Sequence, residues 1–268
     1  MTDQKNSGDN LTTCNSCMST EWLHPVVWCS SALAFFTSRG VIDGFDGSYN
    51  GFNVCHYTGD SISHVSDCRR LLASRIGVGA DRLVVPRQTH STNVAVIKSF
   101  PVPSESIEGV DALVTSLRGV AIGVSTADCV PVLLSDDSAG VIGVVHAGWR
   151  GAVGGIVERT VETMLREGAA ASGIVAALGP SICVKCFEVG EEVADQFPPE
   201  CVVRNDTWPK PHVDLQRYIC DKLMVCGLPS GNITPFSASM CTRCHPGIFF
   251  SARALGVNSG RVFSFVMQ

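Results

Sequence analysis

The chain has 268 residues and a formal net charge of −5, from 20 basic and 25 acidic side chains. This length allows one large domain or two small ones. No dense run of Lys or Arg occurs, so the sequence indicates neither a nucleic-acid partner nor an anionic membrane surface. No apolar stretch reaches the roughly 18 residues of a membrane-spanning helix, and the polar N-terminus lacks the apolar core of a signal peptide. We therefore predict a soluble, cytoplasmic protein.

Thirteen cysteines, an odd number, do not make a small disulfide scaffold in a chain of this length. Without a secretion signal, we expect most of them to be reduced and buried as small hydrophobic side chains. Some of them form three C-x-x-C pairs: Cys14/Cys17, Cys183/Cys186 and Cys241/Cys244. Such pairs can combine into a zinc site, but these lie far apart, and spacing alone does not favour a four-cysteine site.

Residues 1–21 are polar and predict a disordered tail, whereas no repeat, low-complexity block or long linker divides residues 22–268. One domain is therefore expected. An apolar stripe at helical spacing follows Ser61, a suitable N-cap, and predicts a helix that ends near Gly77. Short apolar runs predict strands at 26–28, 32–36, 83–85, 94–97, 111–115 and 120–124.

Two apolar runs in the middle of the chain, 130–134 and 141–145, flank a turn-forming segment and predict a β-hairpin. Cys129 precedes the first strand and His146 ends the second, so antiparallel pairing would place the thiol and the imidazole at the same end. A helix opens at Gly148 and carries an apolar stripe to residue 165. Later segments predict strands at 174–178, near 233 and at 262–266, and helices at 190–197 and 212–226.

Three potential metal ligands, His90, Cys129 and His146, each fall at the end of a predicted strand. The gaps between them are too wide for a local zinc knuckle, so only the fold can bring them together. Two imidazoles and one thiolate would leave a fourth position open for water or substrate, which is typical of a catalytic zinc ion. With seven histidines and thirteen cysteines in the chain, many other triples remain open.

Three motifs resemble the signature segments of the laccase-domain family, also called the multicopper polyphenol oxidoreductase or YfiH-type family. They are Arg87-Gln88-Thr89-His90, Thr126-Ala127-Asp128-Cys129-Val130-Pro131 and His146-Ala147-Gly148-Trp149-Arg150-Gly151. Further matching segments extend the resemblance over roughly residues 33 to 266 in the expected order, among them Asp111-Ala112-Leu113-Val114-Thr115 and Phe249-Phe250-Ser251.

This resemblance implies a Zn²⁺ ion held by His90, Cys129 and His146. It further implies that purine nucleoside and phosphate are the substrates: adenosine, inosine, guanosine and methylthioadenosine would be phosphorolysed, and adenosine would also be deaminated. The implied fold is a single-domain α+β sandwich of α/β/β/α layers, with mixed sheets covered by helices. The chain departs from the family where His90 is followed by Ser91 instead of Gly, and where Ala252-Arg253 replaces Tyr-Arg.

Four further residues are candidates for catalysis. Asp128, beside Cys129, could carry protons or hold a neighbouring group. Arg150 at a helix start could bind phosphate, because arginine binds it bidentately and helix N-termini attract anions. Arg39 and Asn53 stand at the two ends of a Gly- and Asp-rich loop and could add a positive group and a polar contact. On spacing alone, a surface charge and a turn residue explain the last two more simply.

Three other functions remain open. Cys129 and His146 could be the nucleophile and base of a metal-free hydrolase or deamidase. The same nitrogen and sulfur ligands could accept Cu²⁺ in a polyphenol oxidase, although seven histidines are few for an enzyme with four copper ions. A zinc ion could also be a structural element of a regulatory module without enzymatic activity. The oligomeric state is not predicted.

Overall fold

Two β-sheets stacked face to face organise the described part of this computed structural model, residues 22–40 and 47–268. The strands are β1 Leu23–Pro25, β2 Leu33–Thr37, β3 Leu83–Val84, β4 Val94–Ile97, β5 Ala112–Thr115, β6 Ala121–Thr126, β7 Val130–Asp136, β8 Val141–Ala147, β9 Val175–Leu178, β10 Val202–Val203, β11 His212–Val213, β12 Ile233–Thr234 and β13 Val262–Met267. The α-helices are α1 Ile62–Ile76, α2 Trp149–Val153, α3 Ile156–Arg166, α4 Glu191–Ala194, α5 Leu215–Val225 and α6 Ala252–Leu255.

Both large sheets are mixed. One has five strands in the order β1-β2-β13-β6-β3, with β3 parallel to β6 and the other pairs antiparallel. The other has six strands in the order β12-β9-β7-β8-β5-β4, in which both outermost pairs are parallel. Strands β10 and β11 form a separate ribbon.

The alternation of side chains along the strands produces the layers. In β7, Leu133 faces the other sheet and packs with Ile122 and Val266, whereas Val132 and Leu134 face α3 and α5. Helix α1 covers the outer face of the five-stranded sheet through Cys68 and Leu72. The order of layers is therefore helix, sheet, sheet, helices, and the single-domain α+β sandwich expected from the resemblance is confirmed.

Several predicted elements have the predicted ends. Ser61 caps α1 by accepting a hydrogen bond from the His64 N–H, and Gly77 ends the helix with a left-handed φ of 74°. Strands β7 and β8 form the predicted antiparallel hairpin, with Pro131 opposite His146. No helix in the described ranges is long and apolar enough to cross a membrane.

Other predictions are wrong in instructive ways. The helix after Gly148 is two helices, because Gly155 adopts a φ of 89° between α2 and α3. The first strand is Leu23–Pro25 and not 26–28. His212 begins a short strand, because Asp214 caps α5 two residues later by accepting from the Arg217 N–H at 3.0 Å. The expected disordered tail, residues 1–21, lies outside the described residues.

Candidate active site

The fold brings His90, Cys129 and His146 together at one end of the sandwich. Cys129 immediately precedes β7, His146 lies near the end of β8, and His90 lies in the segment between β3 and β4. The Cys129 Sγ and His90 Nε2 atoms are 3.8 Å apart, and the two imidazole rings meet edge to face with centroids 4.8 Å apart. The three ligand atoms all lie within 4.8 Å of one another.

The fully buried carboxylate of Asp111 holds this arrangement in place. One of its oxygens, Oδ1, accepts from His146 Nδ1 at 2.7 Å and from the His90 backbone N–H at 3.0 Å. The other, Oδ2, accepts from the Thr89 N–H and from both the N–H and the hydroxyl of Ser91, at 2.7 to 3.1 Å. The segment that carries His90 is thereby fixed against the strand that carries His146.

Charge stabilises the same cluster. Burial alone would raise the pKa of Asp111, but hydrogen bonding and attraction to His146, with the Ser91 hydrogen bonds, lower it to about 2. Burial opposes the charged forms of Cys129 and His146 as well. Their mutual attraction prevails, with help from His90 and Asp111, and lowers the pKa of Cys129 to about 6 while raising that of His146 to about 9.

These residues fit a metal ion. The ionised Asp111 can only accept, so His146 Nδ1 keeps its proton and Nε2 is the nitrogen that becomes a ligand when a metal ion displaces its proton, an arrangement common around metal-bound histidines. The low pKa of Cys129 supplies the thiolate that a metal requires. Gly148 also leaves room for two of the ligands, because a Cβ atom at this position would lie 2.8 Å from His90 Cδ2 and 3.0 Å from Cys129 Sγ.

A cavity of about 450 Å³ opens onto these ligands. Its lining residues are Tyr57, Gln88, His90, Ser125, Ala127, Asp128, Cys129, His146, Ala252, Arg253, Val257 and Arg261. Two arginines, the exposed Arg253 and the half-buried Arg261, thus border a cavity that also contains the potential metal ligands. A second cleft of similar volume, lined by His56 and Arg69, contains none of these ligands.

Asp128 is the one catalytic candidate from the sequence that lines this cavity. It adopts a left-handed φ of 86°, which turns the chain sharply just before Cys129. Its Oδ1 accepts from the Thr242 hydroxyl, and its Oδ2 accepts from the Arg253 backbone N–H, both at 2.7 Å. Asp128 therefore connects the metal-ligand segment to the C-terminal wall of the cavity.

The structure does not bring the other three candidates to the cavity wall. Arg39 is buried, and its guanidinium donates to the carbonyl oxygens of Asn50, Gly47 and Pro246, which ties two loops together. Arg150 is exposed and stacks on the Trp149 ring, at 4.3 Å from its centroid.

Asn53, the last of the three, is fully buried. Its amide donates to Asp60 Oδ2 at 2.7 Å, and its oxygen accepts from the Arg261 backbone N–H at 3.1 Å. It thus holds the backbone of Arg261, one of the cavity arginines, without lining the cavity itself.

Sequence reasoning missed Asp111, Arg253 and Arg261 as site residues. All three lie in or beside segments that carry the family resemblance, so that resemblance was the available signal. It identified the segments but not the direction of their side chains.

A second group of potential ligands lies outside this cavity. The sulfur atoms of Cys183, Cys186, Cys241 and Cys244 all lie within 4.8 Å of one another, so this cluster could hold a metal ion. Sequence spacing did not favour such a site, because 54 residues separate the two pairs and only the fold joins them. Cys14 and Cys17 lie outside the described residues.

Comparisons with known proteins show the family to which this chain belongs. Residues 33–268 match the family model described as "Multi-copper polyphenol oxidoreductase laccase". The chain belongs to this family, and the resemblance found in its motifs is confirmed.

Among its relatives, "Adenosine deaminase RL5" of an unknown prokaryotic organism is 48% identical over 247 residues, which are 88% of this chain and 93% of the relative. A "Purine nucleoside phosphorylase" of Bacteroides thetaiotaomicron is 40% identical over 235 residues, 83% of this chain and 86% of the relative. The crystal structure of YlmD from Geobacillus stearothermophilus has a TM-score of 0.78 at 30% identity, covering 89% of this chain and 92% of that one.

Replacing Asp111 by Asn tests its hold on the ligands. The neutral amide of Asp111→Asn accepts the His146 Nδ1–H more weakly and cannot reproduce every hydrogen bond, so the ligands are oriented less firmly and we expect the zinc affinity of this site to fall roughly 10- to 100-fold. Competition with a chromophoric chelator measures the change. Asp137→Asn, which alters an exposed carboxylate near Ser30, is the matched control and should leave zinc affinity unchanged. An unaltered affinity in Asp111→Asn would contradict this role.

Alkylation of the metal-free protein tests the ionisation of Cys129. Thiolates are the reactive form, so a pKa lowered to about 6 keeps Cys129 reactive above pH 6, and its reactivity should fall as the pH drops through 6. Mass spectrometry of the alkylated peptides measures this profile. Cys226 is an internal control, since burial raises its pKa to about 11. Added zinc should protect Cys129, and a midpoint near pH 9 would refute the lowered pKa.

Proposed function

We propose that this protein is a zinc-dependent purine nucleoside phosphorylase that also deaminates adenosine. The observation that carries the proposal is the convergence of His90, Cys129 and His146, fixed by Asp111, on a cavity bordered by two arginines. The names of two relatives with full-length similarity, an adenosine deaminase and a purine nucleoside phosphorylase, indicate the same two activities. Both reactions act on adenosine, so one pocket could serve both.

A zinc ion bound by these three residues would act as a Lewis acid and activate water for deamination. The protein must then hold the nucleoside and move a proton. Asp128 lines the cavity beside Cys129 and is held in place by the Thr242 hydroxyl and the Arg253 N–H. We propose that Asp128 accepts and returns the proton.

Phosphorolysis requires phosphate to be held beside the ribose while positive charge develops on the sugar. We assign this task to Arg253 and Arg261, because both line the cavity and arginine recognises phosphate oxygens bidentately. Arg261 already donates to the carbonyls of Ser259, Gly260 and Val257, so its position is rigid. Arg253 is more exposed and donates to the Glu188 carbonyl at 3.1 Å. This assignment replaces Arg150 and Arg39 as the phosphate ligands.

A metal-free cysteine hydrolase is the second candidate. His146 contacts both Cys129 and Asp111, as the base of a catalytic triad contacts its nucleophile and its orienting carboxylate. His90 argues against it, since a hydrolase of this type does not need a second imidazole against the sulfur. Copper could occupy the same nitrogen and sulfur ligands. Within the described residues, however, just one cluster of potential ligands contains histidine.

A reducing compartment suits this chemistry. Every cysteine in the described ranges is a free thiol, and Cys129 must stay reduced to bind a metal ion. We therefore propose the cytoplasm as the location of the protein.

One incubation tests the proposed function. Purified protein is given adenosine with and without phosphate, and adenine, inosine and hypoxanthine are separated. We expect adenine to form only with phosphate and inosine to form in both samples, and the variant His146→Ala to make neither. Inosine alone would reduce the proposal to a deaminase, and no purine product from any nucleoside would refute it. Full activity in metal-free protein would favour the cysteine hydrolase.

The variant Arg253→Ala tests the phosphate site. Loss of one charge-assisted hydrogen bond should lower kcat/KM for phosphate roughly 10- to 100-fold. Deamination uses water instead of phosphate, so its rate is an internal control that should change far less. Arg150→Ala, which removes an exposed guanidinium outside the cavity, should leave both reactions unchanged. If Arg150→Ala is the variant that loses phosphate affinity, our assignment is wrong.

A further inference from the structure

Two C-x-x-C turns lie against each other beside the wall of the active-site cavity that includes Asp128 and Arg253. The first, Cys183 to Cys186, follows β9, and the second, Cys241 to Cys244, precedes α6. Three of the four thiols are buried, at 1 to 9% exposure, and Cys244 is exposed. Cys186 Sγ and Cys244 Sγ are 3.3 Å apart, and all four sulfur atoms lie within 4.8 Å of one another.

The local backbone shapes both turns for ligation. The N–H of Cys186 donates to the Cys183 carbonyl at 2.9 Å, and the N–H of His245 donates to the Cys241 carbonyl at 3.0 Å. Each C-x-x-C segment is therefore a tight turn, and the four sulfur atoms of the two turns lie within 4.8 Å of one another. In addition, the Cys183 N–H donates to Cys241 Sγ at 3.2 Å across the two turns, and such contacts stabilise thiolates around a metal ion.

We infer that these four cysteines form a second zinc site, a structural four-thiolate centre separate from the site at His90, Cys129 and His146. Tetrahedral Zn²⁺ with Zn–S bonds of about 2.3 Å places its sulfur ligands roughly 3.8 Å apart, and here one sulfur pair is 3.3 Å apart and none is separated by more than 4.8 Å. On binding, four thiols release four protons and one Zn²⁺ ion is taken up, which leaves a net charge of −2. Each turn contains one exposed basic residue, Lys185 or Arg243, that offsets this charge.

Such a centre would support the catalytic machinery indirectly. Buried Thr242, inside the second turn, donates its hydroxyl to Asp128, and Ile182, beside the first turn, donates its N–H to the Asp128 carbonyl at 3.0 Å. Thr242 also donates its N–H to the Ser181 carbonyl at 3.1 Å. Joining the two turns therefore fixes both sides of the sharp bend that presents Cys129. The inferred role is positioning.

Disulfides are the main alternative to a metal ion. Cys186 and Cys244 are the closest pair, but their sulfur atoms would have to approach from 3.3 Å to about 2.0 Å. A disulfide between them would leave Cys183 and Cys241 as buried thiols in an apolar cluster with Ile182. A zinc ion satisfies all four sulfur atoms at once.

Metal stoichiometry of the full chain, purified under reducing conditions, tests the inference. We expect two zinc ions per chain in the wild type and one in Cys186→Ser. His146→Ala should also keep one zinc ion, and the double variant should keep none. The matched control is Cys226→Ser, which removes a half-buried thiol outside both clusters and should retain two zinc ions. These counts do not depend on purine chemistry, so they can confirm this site even if the proposed function fails.

Cobalt substitution provides a second measurement that does not rely on the folding of cysteine variants. In wild-type protein and in His146→Ala, Co²⁺ should give the intense thiolate-to-metal absorption of a four-thiolate centre, whereas Cys129 alone contributes one thiolate. Hydrogen exchange at 181–187 and 241–245 should become faster when the metal ion of the four-cysteine site is lost. That result would show the positioning role. The inference is overturned if the wild type binds a single zinc ion that His146→Ala loses, or if intact-mass analysis finds these cysteines as disulfides.

Discussion

The interaction on which the site depends is the buried Asp111 carboxylate. Five donors from two separate segments converge on its two oxygens, and together they fix His90 and His146 with their ligand atoms within 4.8 Å of each other, where they could share a metal ion. A buried carboxylate without such partners would be strongly unfavourable, so the fold can tolerate Asp111 only with this set of contacts. Ser91 strengthens the arrangement with a hydroxyl donor.

The sandwich supplies the rigidity that this chemistry requires. Strands β7 and β8 are buried along their whole length, and the open end of their hairpin carries both Cys129 and His146. The C-terminal segment closes the other side of the cavity, where Arg253 and Arg261 meet the bend at Asp128. The proposed site residues thus come from distant parts of the sequence and are held against this rigid hairpin, and the inferred four-thiolate centre would fasten the one wall that is built mainly from loops.

Local signals predicted much of this structure. The stripe, cap and glycine of α1 and the hairpin follow from periodicity and turn chemistry, which act over short stretches of chain. Ligand type alone left many triples open, and the family resemblance singled out His90, Cys129 and His146. The sequence did not reveal the positions of Arg39 and Arg150, because burial and cavity lining depend on the packing of distant loops. It also did not reveal the cluster of Cys183 and Cys241, whose pairs become neighbours only when β9 and the segment before α6 pack together.

Anomalous diffraction at the zinc absorption edge, from crystals of the wild-type protein, tests the central claim most directly. The account predicts a strong peak about 2.0–2.3 Å from His90 Nε2, His146 Nε2 and Cys129 Sγ, with Asp111 still bonded to His146 Nδ1. A fully reduced protein grown with zinc that shows no peak among these three atoms would contradict it. So would a structure in which the zinc ion does not bind Cys129 and the Cys129 sulfur is instead covalently attached to substrate.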